Sequence, residues 1–250
     1  MSNEVIDTIL NHRSIRKFKD VALTEKQIET IVSSAQMAST SSYIQAYTII
    51  GVKNKETKAR LAELAGNQSY VEKNGHFFVF CADLHRHEIA GQMEKVDVGP
   101  SLESTEKFMV AIVDTTLAAQ NATLAAESMG LGICYIGGIR NEIEEVSNLL
   151  KLPEYVIPLF GLAVGHPDGD TEKKPRLPMA NVYHEEVYEQ DNAKFVEQLQ
   201  NYNETISNYY NRRTGGKRTD RWTEQMANML KTPRRMQINE FLKKKGFMRS

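Results

Sequence analysis

The chain has 250 residues, 41% of them hydrophobic, and a compact domain of that length buries roughly 70–75% of its unfolded surface, enough for one sizeable core. Its 31 basic and 32 acidic residues nearly cancel, so no global field draws nucleic acid or an anionic membrane, and any basic site has to be local. Cys81 and Cys134 sit inside apolar runs, HFFVFCA and GICYIGG, and read as buried free thiols of a reducing compartment rather than as a disulfide framework.

The opening MSNEVIDTILNHR lacks a basic region followed by an uninterrupted apolar stretch, so it does not read as a signal peptide. No window is expected to supply the roughly 18 apolar residues of a membrane span. The expectation is a cytoplasmic globular protein. Val5, Ile6, Ile9 and Leu10 recur at helical spacing and predict a short helix ending near His12. Thr24 with Gln27 forms a capping-box pattern ahead of Ile28, Ile31, Val32 and Ala35, a second helix with one apolar face. A strand is expected over Tyr47–Val52, then a helix over 55–65 stopped by Gly66 and Asn67, then a buried strand over 76–82.

Residues 92–105 are weakly patterned and predict a loop with some helix. The longest helical pattern runs from 108 to 129, is rich in alanine, and meets a stop at Gly130. A short strand over 133–136 leads into Gly137-Gly138, followed by a helix over 142–150. A last strand over 156–164 is expected to be interrupted by Pro158 and Gly161. Strands alternating with helices argue for α/β or α+β layering. Residues 168–192 are polar and turn-rich. From 194 onward the chain is helical in propensity but offers few core positions, so the tail is expected to lie on a partner subunit.

Four segments could carry chemistry: HRSIR at 12–16, STSSYIQ at 39–45, YIGGIR at 135–140 and KPRLP at 174–178. Singly, each is as ordinary as a solvated basic face or a turn. Together they hold the parts of an anionic-cofactor site, with arginine forks, hydroxyls and loop amides for phosphate oxygens, and glycines that let backbone approach a flat ring. Neither GxxxxGK[ST] nor GxGxxG after a strand is present, which argues against a P-loop or a Rossmann fingerprint. The run CADLHRH, with Cys81, His85 and His87, lacks a second ligand cluster at suitable spacing, and no metal is expected. Trp222, Tyr209 and Tyr210 read as packing residues, and Lys243–Lys245 as the solvated end of an amphipathic helix containing Phe241, Leu242 and Phe247.

HRSIRKF, STSSYIQ, GNQSYV, AAESMGLGICYIGGIRN, IPLFGLAVGHP and KKPRLP occur in this order, with YYNRRTGGKRTDRW near the C-terminus. This ordered set resembles the nitroreductase superfamily over essentially the whole chain, in the branch of NADPH-dependent flavin reductases and oxygen-insensitive nitroreductases. The resemblance implies an α+β, nitroreductase-like fold with a central, mostly antiparallel sheet flanked by helices. It further implies an intertwined homodimer with FMN at the interface. Residues 1–167 would form the FMN-binding core, and 168–250 an extension that wraps the partner and carries an NADPH loop, as one domain overall.

The resemblance also assigns roles. His12, Arg13 and Ser14 match phosphate and ribityl contacts, and Arg16 matches the arginine at the N1/O2 edge of the isoalloxazine. Two-electron reduction places negative charge at that edge, where a fixed guanidinium stabilises it. Thr40, Ser41, Ser42 and Gln45 match the loop that meets FMN from the partner subunit, with Thr40 standing where a serine is frequent. Gln68 matches a glutamine bonded to the ring. Tyr135, Gly137 and Gly138 match its other side, with a backbone amide offered to N5. Lys174 and Arg176 match a second clamp on the phosphate. Arg213 and Arg218 match arginines of a mobile loop that takes the 2′-phosphate of NADPH, with Gly215-Gly216 as its hinge and Arg212 and Lys217 as neighbours able to substitute.

The implied chemistry is ping-pong, with hydride passing from NADPH to flavin N5, then two electrons to a nitroaromatic, quinone, free flavin, azo dye or chromate. The alternatives are a dedicated FMN reductase that supplies a monooxygenase, a flavin-binding storage or sensor protein without turnover, and an interaction module using the basic tail. The basic, glycine-hinged loop favours an enzyme, and the balanced charge disfavours the interaction module.

Overall fold

In the computed structural model, which describes residues 3–249, one antiparallel sheet is built from β1 (Tyr47–Val52), β2 (His76–Asp83), β3 (Gly132–Ile136) and β4 (Val156–Gly165). The strand order is β1-β2-β4-β3. The two central strands, HFFVFCAD and VIPLFGLAVG, are the most continuously apolar, as strands covered on both faces must be. The expected interruption of β4 does not occur: the strand runs unbroken through Pro158 and Gly161. Pro158 has no N–H to give, and the β2–β4 register shifts between Phe80 and Cys81, next to it, so a local irregularity absorbs the missing donor. Gly161 lies against the Phe77 ring, where a Cβ would come within 2.2 Å of Cζ.

Before the sheet come α1 (Glu4–Leu10) and α2 (Glu25–Gln36). The predicted capping box forms: Thr24 Oγ1 accepts from Gln27 N at 3.2 Å, and Gln27 Oε1 accepts from Thr24 N at 2.9 Å. Next are α3 (Lys55–Leu64), α4 (Ser69–Glu72), α5 (His85–Glu94), α6 (Gly99–Leu102), α7 (Thr105–Ser128) and α8 (Ile143–Leu149). Gly130 ends the long helix with φ +75°, which glycine adopts without strain. The α5 helix departs from the sequence reading, because HRHEIAGQME carries no sided apolar face and only Gly91 in it is buried.

Contrary to expectation, α7 is long and apolar enough to cross a membrane by length and composition, with 44% of its most apolar window buried. Its buried side, Ala111, Asp114, Thr115, Ala118, Ala119, Ala122, Thr123 and Ala126, packs small side chains against α2 and the sheet.

Two compact units divide the chain, 1–171 with 235–250, and 172–234. Residues 235–249 thus pack with the first unit rather than with the segment that precedes them. There α11 (Ile238–Lys244) buries Phe241 and Leu242, and Phe247 just beyond it joins them, with Tyr155, Ile157 and Leu159. Lys245 is correspondingly not a solvated end. It is partly buried, its Nζ donates to Leu152 O at 2.7 Å, and burial pulls its pKa down. The second unit contains α9 (Asn192–Arg213) and α10 (Trp222–Leu230). It has a small core of its own, Tyr202, Ile206, Tyr209 and Tyr210, with Leu177 and Trp222 against it, where the sequence offered few core positions.

Candidate functional site

Seven of the expected residues converge along β3. Ser14 bridges Ile133 in parallel, and Ile15 N donates to Ile133 O at 2.8 Å, so His12–Arg16 runs beside the strand as an extended segment. Ile15 turns into the core and fills the space over Gly132, where a Cβ would meet Ile15 Cγ1 at 2.6 Å. Burying Ile15 leaves Arg16 on the outer side. It is exposed and, among the described residues, has no ion pair, while its charge acts on the Cys134 thiol, whose pKa burial raises. Cys81 and Cys134 are free and buried, as expected.

Tyr135 is partly exposed. Its phenol oxygen accepts from Thr123 Oγ1 at 3.0 Å, and its ring meets Phe160 edge-on at 5.4 Å. Burial raises the phenol pKa, with the Thr123 bond opposing. The strand then delivers Gly137 and Gly138. A Cβ at Gly138 would lie 2.4 Å from Ala65 O and 2.5 Å from Gln68 Nε2, so only glycine lets this turn rest on the end of α3. Gln68 is fixed there, donating to Ala65 O at 2.8 Å and accepting from Tyr70 at 2.7 Å.

The serine-rich loop lies elsewhere. Thr40–Gln45 leads into β1, the opposite edge of the sheet, three strand spacings or roughly 14 Å from β3. Ser42, Tyr43 and Gln45 all have left-handed φ (48°, 60° and 53°), which non-glycine residues hold only under constraint. Fully buried Asp114 accepts from Ser41 N and Ala46 N, Arg86 donates to the carbonyls of Gln45 and Tyr47, and His87 bonds Ile44 O at 2.7 Å. The side chain of Tyr43 stands 83% exposed at the tip.

The remaining cations belong to the second unit. Lys174 Nζ donates to Tyr210 OH at 2.9 Å, and Arg218 lies over the same ring at 4.4 Å while pairing with Asp220 at 2.8 Å. Burial pushes the Tyr210 phenol up, but hydrogen bonds from Lys174 and Gln225 and the charges of Lys174 and Arg218 outweigh it, and its pKa falls. Arg213 donates to Tyr209 OH at 3.0 Å, and Arg176 donates to Lys174 O at 3.1 Å. Gly215 and Gly216 both have positive φ after α9.

Three supporting residues were given no such role in the sequence reading, although Glu127 and Tyr210 lie inside the quoted motifs: Glu127, which holds His12; Asp114, which holds the loop; and Tyr210, which joins Lys174 to Arg218. An acidic residue inside an otherwise apolar helix was the available signal for the first two. No group of three or more His, Cys, Asp or Glu able to hold a metal occurs among the described residues. An exposed, unpaired guanidinium beside hydroxyl, imidazole and backbone donors, next to a side-chain-free turn, suits a flat anionic group.

The model of the nitroreductase family matches residues 9–166, and that of its C-terminal domain matches 174–250. The chain belongs to the nitroreductase family. It is 56% identical to the FMN reductase (NADPH) of Bacillus subtilis, over 98% of each chain. NfrA1 of B. megaterium is 69% identical and superposes with a TM-score of 0.98, over 99% of this chain and 100% of that one. The NADPH:FMN oxidoreductase of Vibrio harveyi, solved with NAD+, is 41% identical with a TM-score of 0.90, over 99% and 100%.

Proposed function

We propose that this nitroreductase-family chain is an NADPH-dependent oxidoreductase that binds FMN beside β3 and reduces small oxidised acceptors. The observation that carries the reading is the parallel bridge of Ser14 to Ile133, which sets a cationic, donor-rich segment beside the strand that ends in Tyr135 and Gly137-Gly138. Bound FMN supplies the two-electron redox chemistry. His12, Arg13 and Ser14 hold its phosphate and ribityl chain. Arg16 sets positive charge at the N1/O2 edge, where charge accumulates on reduction. Gly137 and Gly138 keep side chains off the ring, and Gln68 and Tyr135 flank it. Arg213 and Arg218 take the 2′-phosphate of NADPH on a loop hinged at Gly215-Gly216.

The reading includes a cytoplasmic homodimer in which Thr40, Ser41, Ser42 and Gln45 reach the cofactor of the other subunit. Two features support it. The braced loop lies at the sheet edge opposite β3. In the single chain, Val5 and Leu10 of α1 and Met109 and Val113 of α7 are left exposed. NADPH and the acceptor use one open face in turn, which suits free FMN, nitroaromatics and quinones alike. The name of the B. subtilis relative favours free FMN, and turnover with free FMN against a nitrofuran at matched concentration decides the emphasis.

The test is the absorbance spectrum of the purified protein before and after anaerobic NADPH. Flavin bands that bleach support the reading. Bands that persist point to storage or sensing, and a colourless protein that takes up no added FMN overturns it.

A further inference from the structure

His12 is gripped by a carboxylate from the far end of the longest helix. Its Nδ1 lies 2.8 Å from Glu127 Oε1, with the two side chains 30% and 12% exposed. The second carboxylate oxygen, Oε2, is buried and has no hydrogen-bond partner among the described residues. A carboxylate drawn from water in this way depends on the donors it keeps, and among the described residues His12 is the one bonded to it.

Other charged and titratable groups beside the pair come from each neighbouring element. Glu4 and Asp7 of α1 line one cavity of about 440 Å³ together with Glu127 and Arg13. Tyr135 of β3 feels the charge of Glu127. Arg13 turns its guanidinium to Asn11 O at 3.0 Å and to Asp170 at 3.7 Å, so it does not satisfy Glu127.

We propose that Glu127 is a positioning residue that accepts the Nδ1–H of His12, leaves Nε2–H for the ligand phosphate, and couples phosphate binding to protonation of the ring. The inference rests on the reading above, in which His12 meets the phosphate of FMN. A neutral imidazole whose one proton sits on Nδ1 presents a lone pair at Nε2, which repels a phosphate oxygen. Only the imidazolium donates from both nitrogens. Glu127 is then acceptor and counter-charge together, as carboxylates are behind histidines that bind metals or shuttle protons. Its effect falls on how firmly the phosphate is held.

The test dilutes purified holoenzyme serially and reads FMN release by the return of flavin fluorescence, between pH 5.5 and 9. Wild type, Glu127→Gln and His12→Ala are compared at each pH, so that ionisation of the phosphate itself cancels. Glu127→Gln keeps an acceptor for Nδ1–H but removes the charge. It is expected to weaken FMN tenfold or more at pH 7.5 and to return within threefold of wild type at pH 5.5, where protons are abundant. Combining it with His12→Ala is expected to add nothing further. An equal penalty at every pH marks a merely structural role and overturns the proposal, as does no penalty at all. If His12→Ala alone leaves FMN affinity unchanged, the placement of His12 at the phosphate fails, and the proposal falls with it.

Discussion

The carboxylate of Asp114, fully buried in α7, accepts the backbone N–H of Ser41 at 2.9 Å while its other oxygen accepts that of Ala46 at 3.0 Å. One side chain thus pins both ends of a loop whose Ser42, Tyr43 and Gln45 hold strained left-handed backbone. Asp114→Ala leaves those amides without an acceptor and is expected to cost about 3 kcal/mol, from two hydrogen bonds to a charged group. Urea unfolding measures the loss. If the loop serves a neighbouring FMN, flavin content of the folded variant drops as well.

His76 gives the fold an acid-sensitive point. Burial, followed by the charges of Lys53 and Lys58, holds the ring down at about 4 from an ordinary 6.5, with Glu25 opposing. The unfolded ring takes its proton below 6.5, whereas the folded one waits until about 4. Stability from this group is therefore full above pH 6.5 and is lost as pH falls from 6.5 towards 4, by up to about 3 kcal/mol. Urea midpoints from pH 7 to 4.5 should fall more steeply for wild type than for His76→Gln. Parallel curves would remove His76 from the account.

Much of this architecture was legible because local signals agreed with tertiary need. Thr24 with Gln27, the stop at Gly130, and the all-apolar β2 each encode an element in adjacent residues. What escaped depended on distant residues. Pro158 reads as a strand breaker until β2 shifts register beside it, and HRHEIAGQME shows no period because α5 buries little. The C-terminal helix looked unsupported, since its pocket at Tyr155, Ile157 and Leu159 lies some ninety positions earlier in the chain. For the site, the motifs named the residues facing outward, while Glu127 and Asp114 were marked only by being acids inside an alanine-rich helix.

Arg213 and Arg218 each lie against an aromatic ring, and Arg218 also pairs with Asp220; both are proposed to take the 2′-phosphate of NADPH. Reversing either charge, Arg213→Glu or Arg218→Glu, should raise the KM for NADPH by about tenfold or more, the worth of one charge-assisted contact. The KM for NADH should change little, so preference erodes. Steady-state kinetics with both nucleotides decides it, and an intact preference in both variants means that the 2′-phosphate is read elsewhere.

Arg16 is exposed, and no described acid competes for its guanidinium. Arg16→Ala should slow anaerobic reduction by NADPH in stopped flow more than it weakens NADPH binding, because in the proposed placement its charge offsets the negative charge that reduction brings. An unchanged limiting rate would assign Arg16 to binding alone.

Adjacent glycines separate packing from cofactor access. A methyl at Gly138 meets Ala65 O at 2.4 Å, a backbone atom that cannot yield, whereas one at Gly137 meets only the guanidinium of Arg140, at 3.3 Å, a side-chain end that has to give by a few tenths of an ångström. Gly138→Ala should therefore destabilise the fold by about 1–3 kcal/mol through overpacking and disturb Gln68 with it. Gly137→Ala should leave the urea midpoint nearly unchanged. Its methyl would instead stand where the ring is proposed to lie, and FMN affinity should fall while the fold persists. Unfolding and flavin-release curves on both variants test the contrast. Equal FMN affinity in Gly137→Ala and wild type would move the ring away from this turn, whatever Gly138→Ala does.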